Sequence, residues 1–147
     1  VIWRDQSTGY ATLSTALHTQ ELSLTQLEHA VWKNRIYHQL LSAYFEDHMV
    51  DHQHCTLGRW YFTGEGRRYK HTEAYRSLAA PHRRFHESGL DALRYARQGD
   101  HTGQLASLAL MEEASVALAK QLDQLMEQAV YEIPMSASHP SPLADAP

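Results

Sequence analysis

Only one cysteine, Cys55, occurs in the 147 residues, so no disulfide can form within the chain. A single thiol fits a reducing, cytoplasmic location. Positive charge is also short: 13 Lys and Arg against 17 Asp and Glu leave a formal net charge of −4. That balance provides no basic field for nucleic acid or for an anionic membrane, so neither is expected as a partner. No apolar run approaches the roughly 20 residues that cross a bilayer, so no direct membrane contact is expected. The opening Val1-Ile2-Trp3-Arg4-Asp5 has neither an initiator Met nor a signal-peptide pattern, which suggests a fragment of something longer. Proline is confined: four of the five lie at 134 or beyond, in a segment with few large apolar groups. Residues 133–147 are therefore expected to be a disordered tail.

The remainder is helical in pattern. There is no β-alternation and no internal repeat. Residues 1–22 read as a lead-in, with Leu13, Ala16 and Leu17 fitting a short helix and Gly9 as a breaker. Ser23-Leu24-Thr25-Gln26 has the form of a capping box, which predicts a helix from there to about His48. Leu22, His29, Trp32, Ile36, Leu40 and Ala43 share one face of it, and Leu24, Leu27 and Val31 form a second apolar stripe. Such a helix has more to bury than one neighbour covers, which points to a homodimer. Residues 49–71 form a connection with one short turn of structure. A third element covers about 72–98, with Tyr75, Leu78, His82, Phe85, His86, Gly89 and Leu93 inward and Pro81 as a kink or a new start. Gly99-Asp100 ends it. A fourth helix runs from about 102 to 131, with Leu105, Leu108, Ser115, Leu118, Leu122, Leu125 and Ala129 inward. The expected fold is all-α: an antiparallel four-helix bundle over 23–132 with a short extra helical segment.

Histidine is what the chain has in excess, with eleven residues. His82 and His86 stand four apart, one helical turn, so both rings can reach one ion. Helical His pairs also occur without a metal. His29 lies on the core stripe, where a ring bonded to a carbonyl is the commoner arrangement. Cys55 lies in an apolar, aromatic turn beside Gly58, where a lone thiol is usually inert. Thiolate and imidazole together suit zinc.

Three ordered segments carry a resemblance. His29-Ala30-Val31-Trp32, His52-Gln53-His54-Cys55-Thr56-Leu57-Gly58-Arg59-Trp60-Tyr61 and Pro81-His82-Arg83-Arg84-Phe85-His86 resemble the motifs of the chemoreceptor zinc-binding domain family, a bacterial helical module; Met111-Glu112-Glu113-Ala114-Ser115 also resembles it. The likeness spans about residues 24–130. It implies a zinc site of three histidines and one cysteine, with His29, Cys55, His82 and His86 as ligands, in a dimeric regulatory bundle. The chain departs from the pattern at Glu28, where Asp is expected in many members. His52 matches a family position but is not expected as a ligand; it is the substitute should His29 fail. His38, His48, His54, His71 and His101 are expected to be solvated.

Four protein ligands fill a tetrahedron, so the implied role is sensing rather than catalysis, with no enzyme activity. Cys55 is the implied redox-sensing residue, because oxidation weakens a thiolate as a ligand. The expected function is zinc or oxidant sensing for a bacterial signalling protein. Its partner would be the signalling domain of a chemoreceptor, ahead of a diguanylate cyclase. Two rivals are a metalloenzyme on a DinB-like four-helix bundle, which needs an open metal position, and a purely structural zinc module for dimerisation.

Overall fold

The computed structural model describes the backbone of residues 2–137 and the side chains of residues 16–129. Four α-helices follow one another: α1 (Ile2–Ser42), α2 (Thr56–Phe62), α3 (Glu73–Arg97) and α4 (His101–Ala137), with a 3-10 turn at Glu65–Tyr69 between α2 and α3. The described residues contain no strand, so the fold is all-α, as expected.

Side-chain contacts give the direction of each element. α1 and the segment after it run oppositely, since Trp32 reaches Val50, His29 reaches Cys55 and His18 reaches Arg68. α3 runs parallel to α1, with His29 on His82 and Trp32 on His86. α4 opposes α1, with Ser23 against Met126, Gln26 against Asp123 and Lys33 against Glu112. The chain therefore goes up, down, up and down. The first descent is made by the short α2 and the 3-10 turn. α3 and α4 share the most extensive pairing.

The core is one cluster drawn from every element, including Leu22, Trp32, Ile36, Leu57, Trp60, Tyr69, Leu78, Phe85, Met111, Leu118, Leu122 and Leu125. Thr72 caps α3, its hydroxyl oxygen accepting from the Tyr75 amide. Gly99 takes a positive φ of 72°, closing α3, and Asp100 caps α4 by accepting from the Gly103 amide. Helix α3 passes through the buried Pro81 without ending. The ring pair Tyr61 and Tyr75 clasps α2 to α3. The rings stack at 3.9 Å, and each hydroxyl donates to the other residue's carbonyl.

Several helix limits differ from expectation. Helix α1 does not begin at Ser23; it is continuous from Ile2. A capping serine needs a non-helical residue before a free amide, and here the Ser23 hydroxyl reaches Met126 while Gln26 reaches Asp123 and the Ala119 carbonyl. Nor does α1 continue to His48. Ala43 turns into the left-handed region with φ 54°, and Gln39, 2 % exposed, accepts from the Glu46 amide and donates to the Glu46 carboxylate. A polar side chain thus folds the chain back where apolar spacing alone would have carried it on. The connection holds more order than one short turn, in α2 and the 3-10 helix. On α4, Leu105 is not inward but 67 % exposed, while Ser107, Met111 and Ala114 are buried. Helix α4 also continues past 131 through 133–137, because a helix already nucleated extends at little cost. The rest of the expected tail, 138–147, lies outside the described residues.

Candidate metal centre

His29 rises from the inner stripe of α1. His82 and His86 stand one turn apart on the inner face of α3. All three rings are buried, at 7 %, 2 % and 1 % exposure. Cys55 arrives from the other side as the N-cap of α2, its sulfur accepting from the Gly58 amide at 3.3 Å. One donor atom from each of the four residues lies within 4.8 Å of every other. The turn carrying Cys55 is built by Asp51, whose carboxylate accepts from the Gln53 and His54 amides while its carbonyl accepts from the Cys55 amide.

Three pairwise distances test the fit to a metal. His29 Nε2 and His82 Nε2 are 3.2 Å apart, Cys55 Sγ and His82 Nε2 are 3.2 Å apart, and Cys55 Sγ and His29 Nε2 are 3.8 Å apart. Zinc–nitrogen and zinc–sulfur bonds of about 2.0 and 2.3 Å at tetrahedral angles put nitrogen pairs about 3.3 Å apart and nitrogen–sulfur pairs about 3.5 Å apart. The donors of His29, Cys55 and His82 have that spacing, and one donor of His86 lies within 4.8 Å of each of them.

The outer nitrogens fix which inner ones are free. His29 Nδ1 pairs with the Thr25 carbonyl at 2.6 Å, and His86 Nδ1 with the Val50 carbonyl at 3.0 Å. Each Nδ1 therefore carries the proton and each Nε2 presents a lone pair inward. The Val50 carbonyl also accepts from Trp32 Nε1 at 3.0 Å, so one backbone oxygen orients a site histidine and the indole packed on it. His86 Nε2 is buried with no hydrogen-bond partner. A buried acceptor left unpaired costs about 1–3 kcal/mol, which a metal bond would relieve.

Charge follows the same design. Burial first, then neighbouring His29 and His86, lowers His82 to about 2. Burial and His29 lower His86 to about 3, and burial lowers His29. All three rings are neutral at physiological pH, the form that binds metal. Burial raises the Cys55 thiol, against the amides of Gly58 and Leu57, with the charges of Glu28 and Asp51 raising it further. A divalent cation at this point would reverse that and hold sulfur as thiolate.

The expected solvated residues His38, His48, His54, His71 and His101 are all exposed. His54 pairs with Asp51 at 2.7 Å. His52 lies half-buried beside His82, their ring centroids 5.9 Å apart, but is not one of the four clustered residues. Glu28 lines a groove of about 430 Å³ with Leu27, Val31, Arg59 and Cys55, which opens the sulfur side of the site to solvent. Spacing alone did not mark Gly58, Gln39 or Val50. Gly58 had the only prior signal, as a small residue near the thiol.

Residues 29–93 match the family model described as the chemoreceptor zinc-binding domain. No curated protein and no solved structure matches the chain. The matched segment contains all four clustered residues, and zinc is the metal that such a domain binds. The match covers less than half of the chain, and over His29–Leu93 the chain is similar to the chemoreceptor zinc-binding domain family.

Proposed function

We propose that this chain is a cytoplasmic zinc-binding sensory domain, without enzyme activity, that reports zinc or oxidant to the signalling domain of a chemoreceptor. His29, Cys55, His82 and His86 are its zinc ligands. The observation that carries the reading is the unpartnered buried Nε2 of His86, aimed into a cluster whose other three donors have tetrahedral spacing. Four protein ligands leave no position for a substrate or an activated water, which disfavours the DinB-like enzyme reading.

Cys55 supplies the response. Its thiolate takes up a two-electron oxidant such as hypochlorous acid, forming an S–O bond to give sulfenic acid while chloride departs. Sulfenic sulfur is a poorer ligand than thiolate. Three ligands sit on long helices and Cys55 on a short turn, so losing its bond shifts the packing of residues 49–66 against the bundle and leaves the bundle standing. In the expected result, the chain binds one zinc, and limited proteolysis of that segment speeds up in Cys55→Ala or after oxidation. Stoichiometric zinc with identical cleavage in both proteins would overturn the switch. Circular dichroism with a chelator addresses the structural alternative, since a sensor keeps its helices without zinc and a zinc-dependent fold loses them.

The output is read by a second copy. Leu24, Leu27 and Val31 are 53 %, 61 % and 52 % exposed along one stripe of α1. Seven- and three-to-four-residue steps of this kind suit helix pairing. Leu27→Glu is expected to turn a dimer into a monomer in sedimentation equilibrium, with zinc content unchanged. A wild-type monomer at high concentration would remove the dimer from the proposal.

A further inference from the structure

We propose that His52 is a reserve zinc ligand that takes the fourth position when the Cys55 sulfur leaves it. The inference rests on the zinc-site reading above and deepens it. The rings of the clustered histidines have centroid separations of 5.1 Å for His29 with His82, 5.4 Å for His29 with His86 and 5.1 Å for His82 with His86. His52 and His82 are separated by 5.9 Å at an interplanar angle of 87°. A fourth imidazole thus already stands within 1 Å of the spacing that the site's own rings keep.

Nothing else holds the His52 ring. Among the described residues neither of its nitrogens makes a hydrogen bond, whereas His29 and His86 each have one nitrogen tied to a carbonyl. Its contacts are edge-to-face, with Phe62 at 6.0 Å on one side and His82 on the other. Its backbone, by contrast, is fixed. The His52 carbonyl packs against Gly58, where an added Cβ would lie 2.0 Å away, and Cys55 Sγ lies 3.7 Å from the same oxygen. His52 and Cys55 therefore share one rigid turn, three residues apart. Rotation of the His52 side chain exchanges nitrogen for sulfur without carrying the chain across the site. The exchange is a substitution at the metal: one sulfur bond breaks, one nitrogen bond forms, and no electrons move. Its consequence is that oxidation of Cys55 leaves a closed four-histidine site that keeps zinc rather than an open one that releases it.

The test compares wild type, His52→Ala, Cys55→Ser and the double variant, with Zn²⁺ affinity by competition and Co²⁺ spectra as the coordination probe. His52→Ala alone should match wild type, with its sulfur-to-cobalt charge-transfer band intact. Cys55→Ser should lose that band yet keep the intense visible bands of tetrahedral cobalt. The double variant should show shifted visible bands, as water replaces the fourth nitrogen, and bind zinc at least about tenfold more weakly than Cys55→Ser. His52→Gln, which preserves bulk, combined with Cys55→Ser should behave as the Ala double variant does, with circular dichroism confirming the fold. Equal spectra and affinities for Cys55→Ser and both double variants would overturn the proposal. So would loss of zinc in His52→Ala alone, which would make His52 a resident ligand. Wild type that binds neither metal would instead refute the zinc-site reading beneath it.

Discussion

His82→Leu is expected to stabilise the metal-free protein and to weaken zinc binding. The leucine fills a similar volume and removes a ring whose polar nitrogens are buried at 2 % exposure. Removing such a group is worth about 1–3 kcal/mol to the metal-free fold. The gain depends on pH in a known direction. In the folded chain His82 is lowered to about 2 by burial and by His29 and His86, while unfolded it titrates near 6.5. Above pH 6.5 neither state takes the proton. Below it the unfolded state binds a proton that the folded state refuses, so wild-type stability falls as pH falls. For this one group the loss is about 1.4 kcal/mol per pH unit below 6.5. The advantage of His82→Leu in urea unfolding with chelator should therefore widen from pH 7 to pH 5.5. With zinc the order reverses. A structural zinc contributes about 10–16 kcal/mol, so one ligand in four accounts for roughly 10²–10³-fold in affinity. A variant no more stable than wild type without metal, or equal to it in zinc affinity, would show that this ring is an ordinary core histidine.

Gly58→Ala is expected to be the most damaging Gly-to-Ala change among the described glycines. Its Cβ would lie 2.0 Å from the His52 oxygen and 2.8 Å from the Gln53 carbonyl carbon and oxygen. All three are backbone atoms in a turn held by Asp51, so no side chain can rotate away. Either α2 or the turn must shift, and both place Cys55. A loss of about 3 kcal/mol or more is expected, in the range of strained backbone sites. Zinc affinity should fall with it, because the Gly58 amide donates to Cys55 Sγ. Gly99→Ala provides the contrast: open space surrounds that Cβ, and only the φ of 72° resists it. Equal unfolding midpoints for Gly58→Ala and wild type would show that the turn is soft.

What was legible in the sequence follows the range of the forces involved. The His29, Trp32, Ile36 stripe and the face from Leu78 through His86 to Leu93 were readable because helical periodicity and burial coincide there. The family likeness brought His29 and Cys55 into the ligand set, since an inward histidine reads as an ordinary core ring and nothing about a lone thiol specifies a partner 27 residues away on α3. The end of α1 was not readable. It depends on Gln39 bonding with Glu46, seven residues on, and on an alanine accepting a positive φ. The face of α4 was misplaced at Leu105 because leucines surround that helix, and α3, with which it pairs most extensively, selects which of them are covered. The serine at 23 has the chemistry of a cap but lies mid-helix, where tertiary contacts to α4 occupy its hydroxyl.

The order of the four residues along the chain also has a meaning for polymer freedom. His29 and Cys55 are 26 residues apart, Cys55 and His82 are 27 apart, and His29 and His82 are 53 apart. A metal held by all of them is a knot that ties two nearly equal loops at a common point. Untying the turn altogether, as when both Cys55 and His52 are replaced, merges them into one loop whose ends stay fastened. On chain-entropy grounds, one closure of this size is worth on the order of 3–4 kcal/mol, and doubling a loop changes it by only about 0.6. The freedom regained is confined between residues 29 and 82, so α4 and the far ends of α1 and α3 receive a change in tension rather than an unfolding.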